Sequence, residues 1–453
     1  MQRLSGADAT FLYLQNARSH MEVAAVVVLD PSAVEDGFSF DRAREVIESR
    51  LHLVPPFRRR LVHVPFELDT PRWIEDPDFD LDYHVRRAAL PTPGGPDELA
   101  TFAGDVLSRP LDRSRPLWEL HLDEGLDDGR IAVVSKTHHA AVDGVSGAEL
   151  LASLVDLEPD APDPEPREEP WRPEREPSDL ELLASSVETL VRQPVRGIRA
   201  VRRLVRALVR SRGSSPPSPP SPFNVTVTPH RRVHFLDVPF DDLKAARTDG
   251  ATVNDVLLAA VGGALRDYLD KRGELPDEPL VAFVPVSTRD EAAGAEGGNE
   301  TSVVFATLAT DVDDPARRLR VIHEAMDVAK QQHADVGATT ITDLTELAGP
   351  AAAALVGRLV SRLRINERTR ISANVVVSNI PGPPVPLYIA GASVEAIYPL
   401  GPVADGSALN ITAMSYQGRM HLGLSADRAT VPDLPVLGDL LRAKLDELVA
   451  VSR

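Results

Sequence analysis

The sequence predicts an α/β fold of mixed sheets, laid out in two halves. Three observations carry that reading. The β-branched apolar runs Val23 to Leu29 and Ile131 to Thr137 have the length and composition of buried strands. Stretches with apolar residues every three or four positions alternate with such runs in both halves. Composition also breaks sharply after Leu157, so that 158–225 is unlike either flank.

Composition narrows the function classes. The chain has 453 residues, of which 43% are hydrophobic, enough for two or three domains with sizeable cores. A formal net charge of −19 argues against a nucleic-acid partner, because phosphate binding needs a basic face. The absence of cysteine excludes disulfides and thiolate chemistry and suits a reducing compartment. No basic stretch followed by an apolar core opens the chain, and no apolar run is long enough to span a bilayer. The expected localisation is cytoplasmic.

In the first half, Val23 to Leu29 reads as a strand, and Asp41 to Leu53 as a helix burying Ala43, Val46, Ile47 and Leu51 before Pro55-Pro56 stops it. Arg58, Arg59 and Arg60 read first as a solvated edge. Leu99, Phe102, Ala103, Val106 and Leu107 fit one helix face. Trp118 to Leu122 alternates like a strand, with His121 at a structural position. Asp128-Gly129 then turns the chain into the strand Ile131 to Thr137.

The middle segment, 158–225, is an acidic proline-rich linker, a basic helix and a Ser/Pro linker. The first linker lacks the apolar surface to fold alone. Every charge from Val191 to Arg212 is an arginine, and the apolar residues between them recur every three or four positions. That composition fits a helix lying on a membrane surface. It also fits an ordinary helix packed on the protein with its arginines meeting the acidic linker.

In the second half, 226–453, strands are expected at Val233 to Val238, Leu280 to Ser287, Ser302 to Leu308, Ala373 to Ser378, Ser393 to Ile397, Leu409 to Tyr416 and Met420 to Ser425. Helices are expected at Val253 to Leu269, Pro315 to Ala334, Ala351 to Leu363 and Pro435 to Val449.

The stretch with chemistry in it is His138-His139-Ala140-Ala141-Val142-Asp143-Gly144, at the exit of a strand and before a helix expected from Gly147 to Val155. A base there is rigid behind and open in front, and histidine exchanges protons near neutrality. Side chains alternate along a strand, so one of the two histidines faces inward. Asp143 is placed to cap the helix or fix the loop. An exposed histidine pair or a metal site using His and Asp remains open on spacing alone, although no HExxH pattern accompanies them.

His138 to Gly144 resembles the HHxxxDG signature of CoA-dependent acyltransferases. Arg115-Pro116-Leu117-Trp118-Glu119, Leu4-Ser5-Gly6-Ala7-Asp8-Ala9-Thr10-Phe11 and Val253-Asn254-Asp255-Val256 resemble three further motifs of one branch, in the same order along the chain. That branch is the bacterial wax ester synthase/diacylglycerol acyltransferase family. The resemblance implies two domains related to chloramphenicol acetyltransferase, 1–157 and 226–453, facing each other across a substrate channel. It implies acyl transfer from acyl-CoA, a co-substrate with no bound cofactor or metal, to a lipid alcohol such as diacylglycerol or a long-chain alcohol. Arg58, Arg59 and Arg60 could then meet CoA phosphates. His139 would be the general base, His138 a support and Asp143 an orienting carboxylate with Arg289 as its partner. Asn254 would donate to the oxyanion, unless it merely caps its helix; Ser378 and Asn379 are weaker candidates. A donor bound to a carrier protein, or a non-catalytic lipid-binding homologue, stays open. A lipid acceptor suits peripheral contact of 191–212 with the inner membrane face or a lipid droplet.

Overall fold

The computed structural model describes residues 1–35, 37–141, 153–162, 164, 171, 173–185, 218–248, 250–287, 301–336 and 373–452. The expected helices at Gly147 to Val155 (all but its last turn) and Ala351 to Leu363, and the basic segment 191–212, lie outside these residues.

In chain order the strands are β1 (Gln2–Arg3), β2 (Glu22–Asp30), β3 (Arg59–Val62), β4 (Arg72–Glu75), β5 (Val85–Ala89), β6 (Trp118–Glu124), β7 (Ile131–His138), β8 (Arg231–Pro239), β9 (Val281–Ser287), β10 (Thr301–Thr307), β11 (Val375–Ile380), β12 (Tyr388–Ile389), β13 (Ala392–Leu400), β14 (Leu409–Tyr416) and β15 (Arg419–Asp427). They form a six-stranded sheet ordered β12-β13-β2-β7-β6-β5, a second ordered β10-β9-β11-β14-β15-β8, and a small sheet β1-β4-β3. Parallel and antiparallel pairs occur in both large sheets, as the mixed α/β reading requires.

The two halves are not independent. β13, from late in the chain, pairs antiparallel with β2 from Ser393↔Asp30 to Leu400↔Ala24, so the first sheet is completed by the second half. β13 also lies against the second sheet. A Cβ at Gly423 of β15 would come 2.0 Å from the Pro399 carbonyl, so only glycine permits that crossing. The first sheet therefore draws strands from both sides of the 158–225 segment.

The second core is built around the helix Val253–Asp270, which buries 13 of its 18 residues. It packs between the second sheet and the helices Pro315–Val336 and Leu434–Ser452. Being enclosed on several sides, it is apolar nearly all round rather than striped. Thr252 caps it: its side chain accepts the Asp255 N–H at 3.3 Å, and the Asp255 carboxylate returns the bond to the Thr252 N–H at 2.8 Å. The helix starts one residue before Asn254, so capping belongs to Thr252 rather than to Asn254.

Two readings of the chain's surface change. Arg59 and Arg60 are not a solvated edge. Arg59 binds Glu75 at 3.0 Å and Arg60 binds Asp76 at 3.1 Å, while the Arg58 guanidinium lies over Trp171. The described part of the acidic linker is also docked. Glu174 holds the N-terminal ammonium, Glu176 binds Arg60 and the Trp171 indole donates to Glu75, while Leu182 in the helical stretch that follows is buried against Val62 and Ile74. The linker cannot fold alone, but the basic small sheet supplies the partners its own sequence lacks. Among the described residues no helix is long and apolar enough to cross a membrane.

Gly262 tests the packing of the buried helix. A Cβ there would meet the Leu308 carbonyl at 2.0 Å. In an open helix Gly→Ala adds about 0.5–1 kcal/mol of stability. Here the clash should dominate, so Gly262→Ala should cost about 1–3 kcal/mol, read as a lower urea midpoint. A raised midpoint would contradict the packing.

Candidate functional site

β7 runs between β2 and β6, and this double pairing carries the histidines to the sheet's end. Glu22 faces His138 across β2–β7, and Trp118 faces Thr137 across β6–β7. The pairing is finished by two bonds just past it: the His138 N–H donates to the Leu117 carbonyl at 3.0 Å, and the His139 N–H to the Met21 carbonyl at 3.1 Å. Met21 has φ 53°, an uncommon conformation for a residue with a side chain. The chain then tightens into a short 3₁₀ turn, His139–Ala141.

The two rings have different surroundings. His138 is 1% exposed. Its Nδ1 accepts the Ala140 N–H at 3.0 Å, which leaves Nε2 as the protonated nitrogen, donating to Gln15 Oε1 at 3.2 Å. Burial, helped by the nearby Arg113 and His139, pushes its pKa down to about 3, so the ring is neutral. His139 is half-buried and stacks on Phe11, with ring centroids 3.8 Å apart and planes 14° from parallel. Burial holds its pKa below the ordinary 6.5, while the ring's hydrogen bond to its own main chain works the other way. A neutral imidazole at physiological pH can accept a proton.

The helix Gly6–Leu14 supplies both Phe11 and, as its C-terminal cap, Gln15. Ser5 begins it by accepting the Asp8 N–H at 3.2 Å, and Arg113 donates to the Leu12 carbonyl near its end at 3.1 Å. Leu4, Ala9 and Leu12 pack with Leu117, Ala140 and Ala141 in one buried cluster. Three of the sequence motifs thus converge on the histidine turn. Trp118, beside Leu117, is a structural partner: its indole donates to the Phe57 carbonyl at 2.8 Å, and its ring stacks on Phe57 and His84.

Charge is buried behind the pair. Lys136 is 1% exposed and donates to the carbonyls of Val106 and Arg109, with Glu22 and Glu119 oxygens 3.8 and 3.6 Å away. Glu22 accepts the Leu111 N–H at 2.7 Å, yet burial outweighs Lys136 and raises its pKa to about 7. His121 bonds to Glu119 at 3.3 Å and meets Phe102 edge-on, a structural position.

Of the other expected site residues, Asp143 and Arg289 lie outside the described residues. Asn254 is half-buried in the first turn of its helix. No hydrogen bond or ring contact among the described residues joins it to either histidine. Ser378 and Asn379 sit on β11, opposite Thr412 and Ala413 of β14. Gln15 carries no signal in the sequence, and Phe11 is legible there only as the last residue of a motif. The motif around Phe11 was visible as a pattern, but its contact with His139 spans the length of the first half and has no local signal. No group of three or more His, Cys, Asp or Glu side chains among the described residues could hold a metal ion.

His138 makes a stability prediction. Its folded pKa is depressed from 6.5, so its contribution is intact above pH 6.5 and is lost as pH falls toward 3. At pH 5 the loss amounts to about 2 kcal/mol. His138→Asn keeps an acceptor for the Ala140 N–H but does not titrate. It should be less stable than the parent at pH 7.5 and lose about 2 kcal/mol less on going to pH 5, by urea unfolding. Parallel pH dependences would contradict the assignment.

Residues 4–257 match the model of the wax ester synthase/diacylglycerol acyltransferase catalytic domain, and residues 297–449 match that of the WS/DGAT C-terminal domain. A putative diacylglycerol O-acyltransferase of Mycobacterium tuberculosis is 36% identical over all of this chain and 91% of its own length. The solved wax ester synthase/diacylglycerol acyltransferase from Marinobacter aquaeolei VT8 superposes with a TM-score of 0.72 at 32% identity, over the full length of both chains. The trichothecene 15-O-acetyltransferase of Fusarium sporotrichioides, at 15% identity and a TM-score of 0.61, shares the fold alone. With three of its four motifs gathered at one strand end and both family domains matched, this chain belongs to the wax ester synthase/diacylglycerol acyltransferase family of acyltransferases.

Proposed function

We propose that the chain transfers a fatty acyl group from acyl-CoA to the hydroxyl of diacylglycerol, of a long-chain alcohol, or of both. The observation that carries this reading is His139: a neutral, half-buried imidazole fixed at the end of β7 by Met21 and Phe11. His139 acts as general base. It takes the acceptor's O–H proton as that oxygen attacks the thioester carbonyl. A tetrahedral oxyanion forms and collapses with cleavage of the C–S bond. The imidazolium returns the proton to the departing thiolate, giving ester and free CoA. No acyl-enzyme is required.

His138 supports from behind. Its neutral ring cannot repel the imidazolium that forms next to it, and its bond to the Ala140 N–H fixes the turn. Asn254 is the oxyanion donor in this reading. Its amide is not the helix cap, a duty that Thr252 performs. Asp143 orients the loop after the histidines, with Arg289 as its partner. The segment 191–212 provides peripheral contact with an anionic membrane face or lipid droplet, through arginines around an apolar stripe.

The reaction is tested by thiol release from palmitoyl-CoA with diacylglycerol, with hexadecanol and with neither. Release should require an acceptor and fall at least about 10²-fold in His139→Ala, the lower range for lost general-base catalysis. Wild-type rates in a folded His139→Ala would remove the base. No release with any acceptor would point to a carrier-bound donor or to a lipid-binding protein.

Surface contact is tested by flotation with liposomes containing anionic lipid. The full chain should float and a deletion of 191–212 should not, with the difference reduced by high salt. Equal flotation of both would refute the role of the segment.

A further inference from the structure

We propose that Asp405, from the second half of the chain, is a positioning residue for the histidine pair of the first half. The inference rests on the reading of His139 as base and adds a residue that no motif marks.

The histidines are held by the two ends of one short turn. Gln15, at its start, accepts from His138 Nε2, and Met21, at its end, accepts the His139 N–H. What lies between them therefore sets the distance between those two contacts. The turn is closed by Asn16, whose Oδ1 accepts the N–H groups of Arg18 and Ser19 at 2.8 and 3.0 Å, and whose own N–H donates to the Ser19 carbonyl at 2.9 Å.

This turn is fastened to the other half by Asp405. Asp405 Oδ2 accepts from Asn16 Nδ2 at 3.2 Å and lies 4.0 Å from the Arg18 guanidinium. Its Oδ1 accepts the Val227 N–H at 3.0 Å, and its own N–H donates to Ser19 Oγ at 3.0 Å. Arg231 reinforces the tie by donating to the carbonyls of Arg18 and Val403. The Asp405 loop is itself anchored, since the Gly406 N–H donates to the Val225 carbonyl at 2.8 Å and Asn224 donates to the Gly406 carbonyl at 2.9 Å.

A carboxylate with bonds to both halves resists displacement more than a single contact would. Loss of the tie lets the turn relax, and Gln15 and Met21 shift with it. Catalysis by a positioned base is sensitive to such shifts, where about 1 Å costs about a hundredfold. Substrate binding elsewhere would be little affected. The expected signature is a fall in kcat with KM nearly constant.

The test uses the full chain and acceptor-dependent transfer from palmitoyl-CoA. Asp405→Asn places an amide against the Asn16 amide and should lower kcat about ten- to hundredfold, with KM for palmitoyl-CoA within about twofold and rates normalised to folded protein. Combining Asn16→Asp with Asp405→Asn exchanges the two groups, restores donor to acceptor and keeps the charge beside Arg18. It should recover most of the lost kcat. Gln15→Ala combined with Asp405→Asn should cost less than the product of the two single losses, because both act through one turn. Unchanged kcat in Asp405→Asn, or an exchanged pair no better than Asp405→Asn alone, would overturn the proposal. If Asp405→Asn does not fold, the exchanged pair still decides, by comparison with the parent enzyme. His139→Ala run in parallel separates the two readings. Activity retained there overturns the base and this proposal together. Activity lost there, with Asp405→Asn at the parent's kcat, overturns the proposal alone.

Discussion

Everything at this site depends on the pairing of β7 with a strand on each side. Eight register pairs with β2 and six with β6 fix where β7 ends, and with it where His138 and His139 stand. A slip of one residue would exchange the two side chains between faces. The slip is opposed by the alternation itself. His138, Lys136 and Val134 point to one buried face, and His138 finds Gln15 there. The main-chain bonds to Leu117 and Met21 extend the register through the histidines themselves.

The electrostatics of the pair follow from burial more than from charge partners. Both imidazoles are pushed toward neutrality by loss of water, and no carboxylate bonds to either ring among the described contacts. The buried acids Glu22 and Glu119 face Lys136 instead. Charge behind the histidines is thereby collected at one buried ammonium, whose carbonyl partners Val106 and Arg109 hold it in place. A buried charge is tolerated only with such partners.

Much of the framework could be read from local pattern. β2, β7 and the helix Val253–Asp270 are apolar enough, over the right lengths, to be recognised without tertiary information. The histidines were placed at a strand end for the same reason. What escaped depends on residues far apart in sequence. β13 looks like an ordinary strand of the second half, and only its register with β2 places it in the first sheet. Phe11 reads only as the end of the N-terminal motif, and only the fold stacks it on His139. The docked linker reads as unable to fold alone because its partners, Arg60, Glu75 and the amino terminus, belong to another segment. The helix cap is a different case. Thr252 and Asp255 form a local capping box, and the motif's asparagine drew the role that its neighbour performs.

The central claim is that a neutral, desolvated His139 is the base. It is tested most directly by the pH dependence of kcat/KM for acyl transfer, which reports the free enzyme's essential groups. The account predicts a one-proton acid limb with an apparent pKa below the ordinary 6.5 of histidine, because burial disfavours the protonated ring. A limb lying above 6.5 would contradict it, since the base would then be held by a charge partner rather than by burial.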